Sequence, residues 1–123
     1  MAKKRLLLVD DEVELVEMIK FRLEASDYEV LTANDGQQAL EIARREKPDL
    51  VILDVMLPKM DGYKVCGLLK KDSRYAHIPV MMFTAKAMDA DMKLGQEVSA
   101  DAYLTKPFEP KVLLEKIKEL VKD

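Results

Sequence analysis

The chain has little of what marks a secreted or membrane protein. It contains one cysteine, Cys66, in 123 residues. A lone cysteine forms no internal disulfide, so a reducing cytoplasm is the expected home. No stretch approaches the roughly 20 apolar residues that a membrane span needs. The basic start, Lys3, Lys4 and Arg5, leads into an apolar run over 6–9 that meets Asp10 at once, which is no signal peptide. Charge of one sign is also missing: 20 basic residues stand against 23 acidic ones, for a net charge of −3. That near-balance argues against direct nucleic-acid binding, which needs a basic face. The single histidine, His77, sits in a polar stretch before Pro79 and reads as a surface residue.

What is present fits one globular domain over residues 1–123. The composition is 49% hydrophobic and 35% charged, ordinary for such a chain. A domain of this size buries a core without disulfides or structural metal. No repeat, low-complexity tract or linker interrupts it, and no effector domain is expected within it.

Short apolar runs at 6–9, 30–31, 50–53, 80–83 and, weakly, 102–104 alternate with segments of helical spacing. Val16, Ile19 and Leu23 form one stripe, with Leu15 and Met18 beside it. Ala39, Leu40 and Ala43 form the next, then Val65, Leu68 and Leu69, and last Leu113, Ile117, Leu120 and Val121. Residues 88–97 also read as a helix, the least firmly packed, because large aliphatics are few and Gly95 interrupts. Five strand–helix units in alternation predict a doubly wound α/β fold, a parallel sheet covered on both faces. Pro48 and Asp49 end the second helix, Pro79 precedes the fourth strand and Pro110 opens the last helix.

In such sheets ligands bind beyond the carboxyl ends of the strands. Asp10, Asp11 and Glu12 follow strand one, Asp54 ends strand three, Thr84 ends strand four, and Lys106-Pro107 follows strand five. Asp10, Asp11 and Asp54 would crowd negative charge into one crevice, which a hard divalent cation relieves. Magnesium suits oxygen ligands of this kind; without histidine or cysteine there, zinc does not. A carboxylate can also attack phosphorus and form an acyl phosphate. Lys106 supplies a cation and Thr84 a hydroxyl for the phosphoryl oxygens.

Four motifs in order then resemble the response-regulator receiver domains of two-component signalling. They are Val9-Asp10-Asp11, the run from Leu53-Asp54-Val55-Met56 through Asp61-Gly62, Phe83-Thr84-Ala85, and Tyr103-Leu104-Thr105-Lys106-Pro107-Phe108. Thr84 lies 30 residues after Asp54, and Lys106 lies 52 after it. The resemblance covers essentially the whole chain and implies a flavodoxin-like (βα)5 fold with strand order 2-1-3-4-5. It implies Asp54 as phosphoacceptor. It assigns Mg2+, replaceable by Mn2+, to Asp10, Asp11, Asp54 and the backbone carbonyl of Met56, with Asp10 acting mostly through water or by orientation. Thr84 and Lys106 would contact the phosphoryl group, Thr84 and Tyr103 would act as the switch, and the Lys106–Pro107 bond is expected to be cis. The implied donor is a phosphohistidine on a sensor histidine kinase or phosphotransfer domain. The output partner would meet the face of helix four, strand five and helix five. The chain would be a signalling switch that catalyses its own phosphorylation and slow dephosphorylation, not a metabolic enzyme.

Each residue also has a plainer reading. Asp10 and Asp11 serve equally as caps of the first helix. Lys106 taken alone is a solvated charge, and Thr84 a β-branched strand residue. Asp61 and Gly62 read as helix cap and turn; Cys66 and Met81 read as packing. Met56 and Lys86 flank the site, and an apolar Met56 predicts a long-lived phosphoryl group. Receivers that dimerise through the helix-four face commonly carry paired acids before the strand-five aromatic. Here Asp101 precedes Ala102, so one partner is missing, and either a monomer or a phosphorylation-dependent dimer is expected. Three rivals remain. A phosphatase with an aspartate nucleophile needs an acid where Met56 stands. A flavin or nucleotide module needs a Ser-, Thr- and Gly-rich loop where Asp10-Asp11-Glu12 stands. A receiver-like interaction module would work without phosphorylation and usually lacks one of the site residues.

Overall fold

Residues 6–9, 50–53 and 80–83 carry almost no polar side chains, and each becomes an interior strand. The computed structural model describes residues 3–84 and 100–121, Thr84 through its backbone. β1 (Arg5–Val9), β2 (Glu29–Ala33), β3 (Leu50–Asp54), β4 (Val80–Thr84) and β5 (Ala102–Thr105) pair in parallel in the order β2-β1-β3-β4-β5. Among the described residues, the helices are α1 (Val13–Ala25), α2 (Gly36–Glu46), α3 (Gly62–Lys71) and α4 (Pro110–Leu120). The helix expected over 88–97, and Lys86, lie outside the described residues.

Alternation along the strands builds two apolar layers. Leu7, Val9, Val51 and Leu53 face α2 and α3, where Ala39, Leu40, Ala43, Val65, Cys66 and Leu69 are buried. Leu6, Leu8, Leu50, Ile52, Met81 and Phe83 face the other way, against Ile19 and Leu23 of α1 and Leu113 and Ile117 of α4. Met18 departs from expectation. Its side chain is 51% exposed, on the solvent side of the α1 stripe.

The boundaries follow local chemistry. Asp61 caps α3, its carboxylate accepting from the Lys64 N–H at 2.9 Å. Pro110 opens α4, where its missing N–H costs nothing. Lys47 ends α2 in the left-handed conformation, φ 46°, just before Pro48. Burial pushes the Cys66 thiol up to about 11, which fits a packing role.

At the far end from the carboxyl edge, Lys70 ties three segments together. Its ammonium donates to the Ile78 carbonyl at 2.7 Å and lies 2.8 Å from the Asp101 carboxylate, which also accepts from the Val80 N–H at 2.7 Å. Asp101 is therefore committed within the chain. Among the described residues, no helix is long and apolar enough to cross a membrane.

Candidate functional site

The carboxyl edge of the sheet is built by three strand ends. Asp10 follows β1, and its N–H donates to the Ala33 carbonyl at the end of β2. Its side chain turns inward, leaving the residue 1% exposed. One carboxylate oxygen accepts from the Glu12 N–H at 2.9 Å. This places Glu12, not either aspartate, at the N-cap of α1, and Glu12 makes no side-chain cap. Asp11 is exposed. Asp54 closes β3, is 5% exposed, and accepts from the Met56 N–H at 3.3 Å. One oxygen from each of Asp10, Asp11 and Asp54 lies within 4.8 Å of the others, a group able to hold a metal ion. All three are hard carboxylate donors, the chemistry that magnesium and manganese prefer.

Lys106 follows β5 and reaches back across the edge. Its Nζ is 2.8 Å from Asp10 Oδ2, 3.3 Å from Asp54 Oδ2 and 3.7 Å from Glu12 Oε1. The next peptide bond, Lys106–Pro107, is cis. Burial raises the pKa of Asp54, and the charge of Asp10 raises it further. The pull of Lys106 and of the Met56 N–H offsets this only in part. Burial works against the Lys106 ammonium, but its bond to Asp10 and the charge of Asp54 outweigh that and raise its pKa. The ammonium stays charged, and the carboxylates remain short of positive charge.

The loop from β3 to α3 is held by close backbone approach. The Gly62 N–H donates to the Val55 carbonyl at 2.9 Å, and a Cβ on Gly62 would collide with the Asp54 carbonyl oxygen. Gly36, at the start of α2, is pressed against the Met60 carbonyl in the same way and donates to the Pro58 carbonyl at 3.2 Å. Neither glycine has a positive φ, so space rather than backbone freedom selects them.

Thr84 and Met56 fall at the same edge, and Tyr103 lies further back along β5. Thr84 ends β4 opposite Thr105 of β5, and its side chain is outside the described part. Tyr103 lies on β5 opposite Met82, half-buried against the layer under α2 and α3. Met56 begins the loop with its side chain 76% exposed, so it does not pack over Asp54 as a cover. Sequence reasoning missed Glu12 as a neighbour of Lys106 and the close backbone approach that requires Gly36 and Gly62. It also missed the Phe83 ring beneath the Lys106 ammonium. The signals were the third acid of Asp10-Asp11-Glu12 and the glycines at two helix starts.

Residues 6–118 match the family described as the response regulator receiver domain. The chain belongs to that family. It is 45% identical over 119 residues to the alkaline phosphatase synthesis transcriptional regulatory protein PhoP of Bacillus subtilis (strain 168), covering 97% of this chain and 49% of that protein. It is 48% identical over 120 residues to the probable transcriptional regulator ycf27 of Cyanophora paradoxa, covering 98% of this chain and 49% of that one. The chain thus spans about half the length of the curated relatives it matches. Among solved structures, the chemotaxis protein CheY4 of Vibrio cholerae superposes with a TM-score of 0.91 at 33% identity, covering 97% of this chain and 99% of that one. The receiver domain of the sensor histidine kinase PA1611 from Pseudomonas aeruginosa PAO1, described with a magnesium ion coordinated in its active site cleft, gives 0.90 at 28% identity and 98% coverage of both chains. The receiver domain described here has the flavodoxin-like fold and the strand order expected of it.

Proposed function

We propose that this receiver domain is a phosphorylation switch in which Asp54 accepts a phosphoryl group from a phosphohistidine donor. The observation that carries the reading is the Lys106 ammonium set between Asp10 and Asp54, 2.8 and 3.3 Å away, at the edge of a three-carboxylate cluster. Asp10, Asp11, Asp54 and the Met56 carbonyl would hold Mg2+ or Mn2+. The bound ion would supply positive charge against the phosphoryl oxygens. The PA1611 receiver, with magnesium in its cleft, supports this assignment by likeness.

The residues of the chain have separable tasks. A carboxylate oxygen of Asp54 attacks phosphorus, forming an O–P bond as the P–N bond to the donor imidazole breaks. The donor imidazole, protonated on its other ring nitrogen, keeps the electron pair and is released neutral. Lys106 exchanges its carboxylate partners for a phosphoryl oxygen. The Asp54 carboxylate is costly to bury as an anion, which raises its free energy before reaction. Thr84 donates its hydroxyl to the phosphoryl group, and Tyr103 moves with it to change the surface of β5 and α4.

The donor would be a sensor histidine kinase or a phosphotransfer domain in the cytoplasm. The output partner would meet the face of β5 and α4; the helix expected over 88–97 lies outside the described residues. Relatives named as transcriptional regulators, and the DNA-binding response regulator MtrA, suggest transcriptional control by the whole protein. DNA contact would then lie outside this domain. Asp101 is exposed but paired with Lys70 and the Val80 N–H, and either a monomer or a phosphorylation-dependent dimer would follow. The test is incubation with a small acyl phosphate and magnesium. One phosphoryl group should add to the wild-type chain and none to Asp54→Asn. Labelling retained in Asp54→Asn would exclude the assignment.

A further inference from the structure

The Lys106 ammonium has a neighbour that the chemistry above does not use. Its Nζ lies 4.7 Å above the centroid of the Phe83 ring. Phe83 is 1% exposed, on β4 directly opposite Asp54 of β3. The Phe108 ring meets it edge-on, centroids 5.9 Å apart and planes at 82°. Phe108 stands two residues beyond Lys106, so the segment that carries the lysine also braces the ring beneath it. The Phe83 backbone contributes as well: its carbonyl accepts from the Val55 N–H, at the start of the loop after Asp54, at 3.3 Å.

We infer that Phe83 is a positioning residue for phosphoryl transfer, holding the Lys106 ammonium over its π face. This inference rests on the phosphoacceptor reading of Asp54. The physical case is that the ammonium must change anionic partners during the reaction. Before transfer it is bonded to Asp10 and Asp54. Afterwards the Asp54 oxygen is esterified and the phosphoryl oxygens take over. An aromatic face attracts a cation through its quadrupole without being an anion itself. It does not compete for the hydrogen-bonding protons that the phosphoryl group needs. It therefore stays a constant partner while the others exchange, and keeps the ammonium at a fixed height above the sheet edge. A leucine or methionine would fill much of the same buried space but offer no such attraction. Because the contact is the same before and after transfer, its energy does not itself lower the barrier; its loss lets the ammonium drift from the place the phosphoryl oxygens need, and a slowing of roughly tenfold is expected from that misplacement.

The experiment compares wild type, Phe83→Leu and Phe83→Tyr, with Phe83→Met replacing the leucine variant should that fail to fold. Phosphoryl uptake from acetyl phosphate is followed at saturating magnesium over a range of donor concentrations. The maximal rate should fall about tenfold in Phe83→Leu with the half-saturating donor concentration nearly unchanged, and Phe83→Tyr should recover most of it. Nuclear magnetic resonance supplies the second readout. The Lys106 ε-methylene protons, one bond from the ammonium over the ring, should resonate upfield in wild type and Phe83→Tyr and return toward the ordinary lysine position in Phe83→Leu. Equal maximal rates in all three proteins, or a loss in Phe83→Tyr as large as in Phe83→Leu, would overturn the inference. So would an ordinary lysine position for the wild-type protons. If the wild-type chain takes up no phosphoryl group while the upfield signal is present, the phosphoacceptor reading fails and the ring contact stands as structure alone.

Discussion

Replacing Lys106 with methionine should destabilise the domain in a pH-dependent way. Lys106 is the cation bonded to two buried carboxylates, Asp10 at 1% and Asp54 at 5% exposure, and its own side chain is 15% exposed. Removing one partner of a fully buried ion pair costs about 3–5 kcal/mol. The exposed side of the cluster reduces this, and about 2 kcal/mol is expected at pH 8. The pH dependence follows from Asp54, whose pKa in the fold is raised, first by burial and then by Asp10. A raised acid favours folding fully below its unfolded value, and that contribution is lost as pH rises through the folded value. Without Lys106 the folded value rises further, so more stability is lost over the same rise in pH. The variant should thus approach wild type near pH 4.5 and fall away toward pH 8. Urea unfolding followed by circular dichroism, in a metal-free buffer, measures it. With a slope of about 1.3 kcal/mol per molar urea, the midpoint should drop by roughly 1.5 M at pH 8 and by less than half of that at pH 4.5. An equal drop at both values would show that lost packing, not unpaired charge, causes the effect.

Magnesium should stabilise the wild-type chain saturably, by about 1.4 kcal/mol at ten times its dissociation constant, with little effect on Asp54→Asn. In thermal melts without metal, Asp54→Asn should be at least as stable as wild type, because it removes a buried charge; a clearly less stable variant would contradict this. Gly62→Ala should cost about 2–3 kcal/mol, since the new methyl meets the Asp54 carbonyl and the Val55 backbone. It should also slow phosphoryl uptake, and wild-type values for both would refute the packing account of the loop. Met56→Asn should leave the lifetime of the phosphoryl group, measured by its decay after donor removal, nearly unchanged, because the exposed Met56 side chain does not cover Asp54; a clearly shorter lifetime would show that Met56 limits water.

The inner strands were legible because a parallel sheet buries both faces of its centre. β1 and β3 read as unbroken apolar runs, and Leu6–Val9 and Leu50–Leu53 are at most 1% exposed. The outer strands were faint. β2 extends over Glu29–Ala33, but only Val30 and Ala33 are buried, so the sequence shows just a short run. Met18 shows the limit of stripe reading, since its offset borders the buried face while its side chain stays in solvent. Asp10, Asp54 and Lys106 were legible because strand ends converge on one edge whatever the loops do. What could not be read were contacts that depend on distances between elements. The Phe83 ring under Lys106, the pressure of Gly62 on the Asp54 carbonyl, and the pairing of Asp101 with Lys70 all depend on how neighbouring elements pack. No local pattern encodes them.

The central claim is tested most directly by intact-mass measurement after incubation with acetyl phosphate and magnesium, followed by peptide mapping after borohydride trapping of the acyl phosphate. The account predicts one added phosphoryl group, mapped to Asp54, absent when magnesium is chelated and absent in Asp54→Asn. A stable adduct on another residue, or uptake that persists in Asp54→Asn at the wild-type rate, would contradict it.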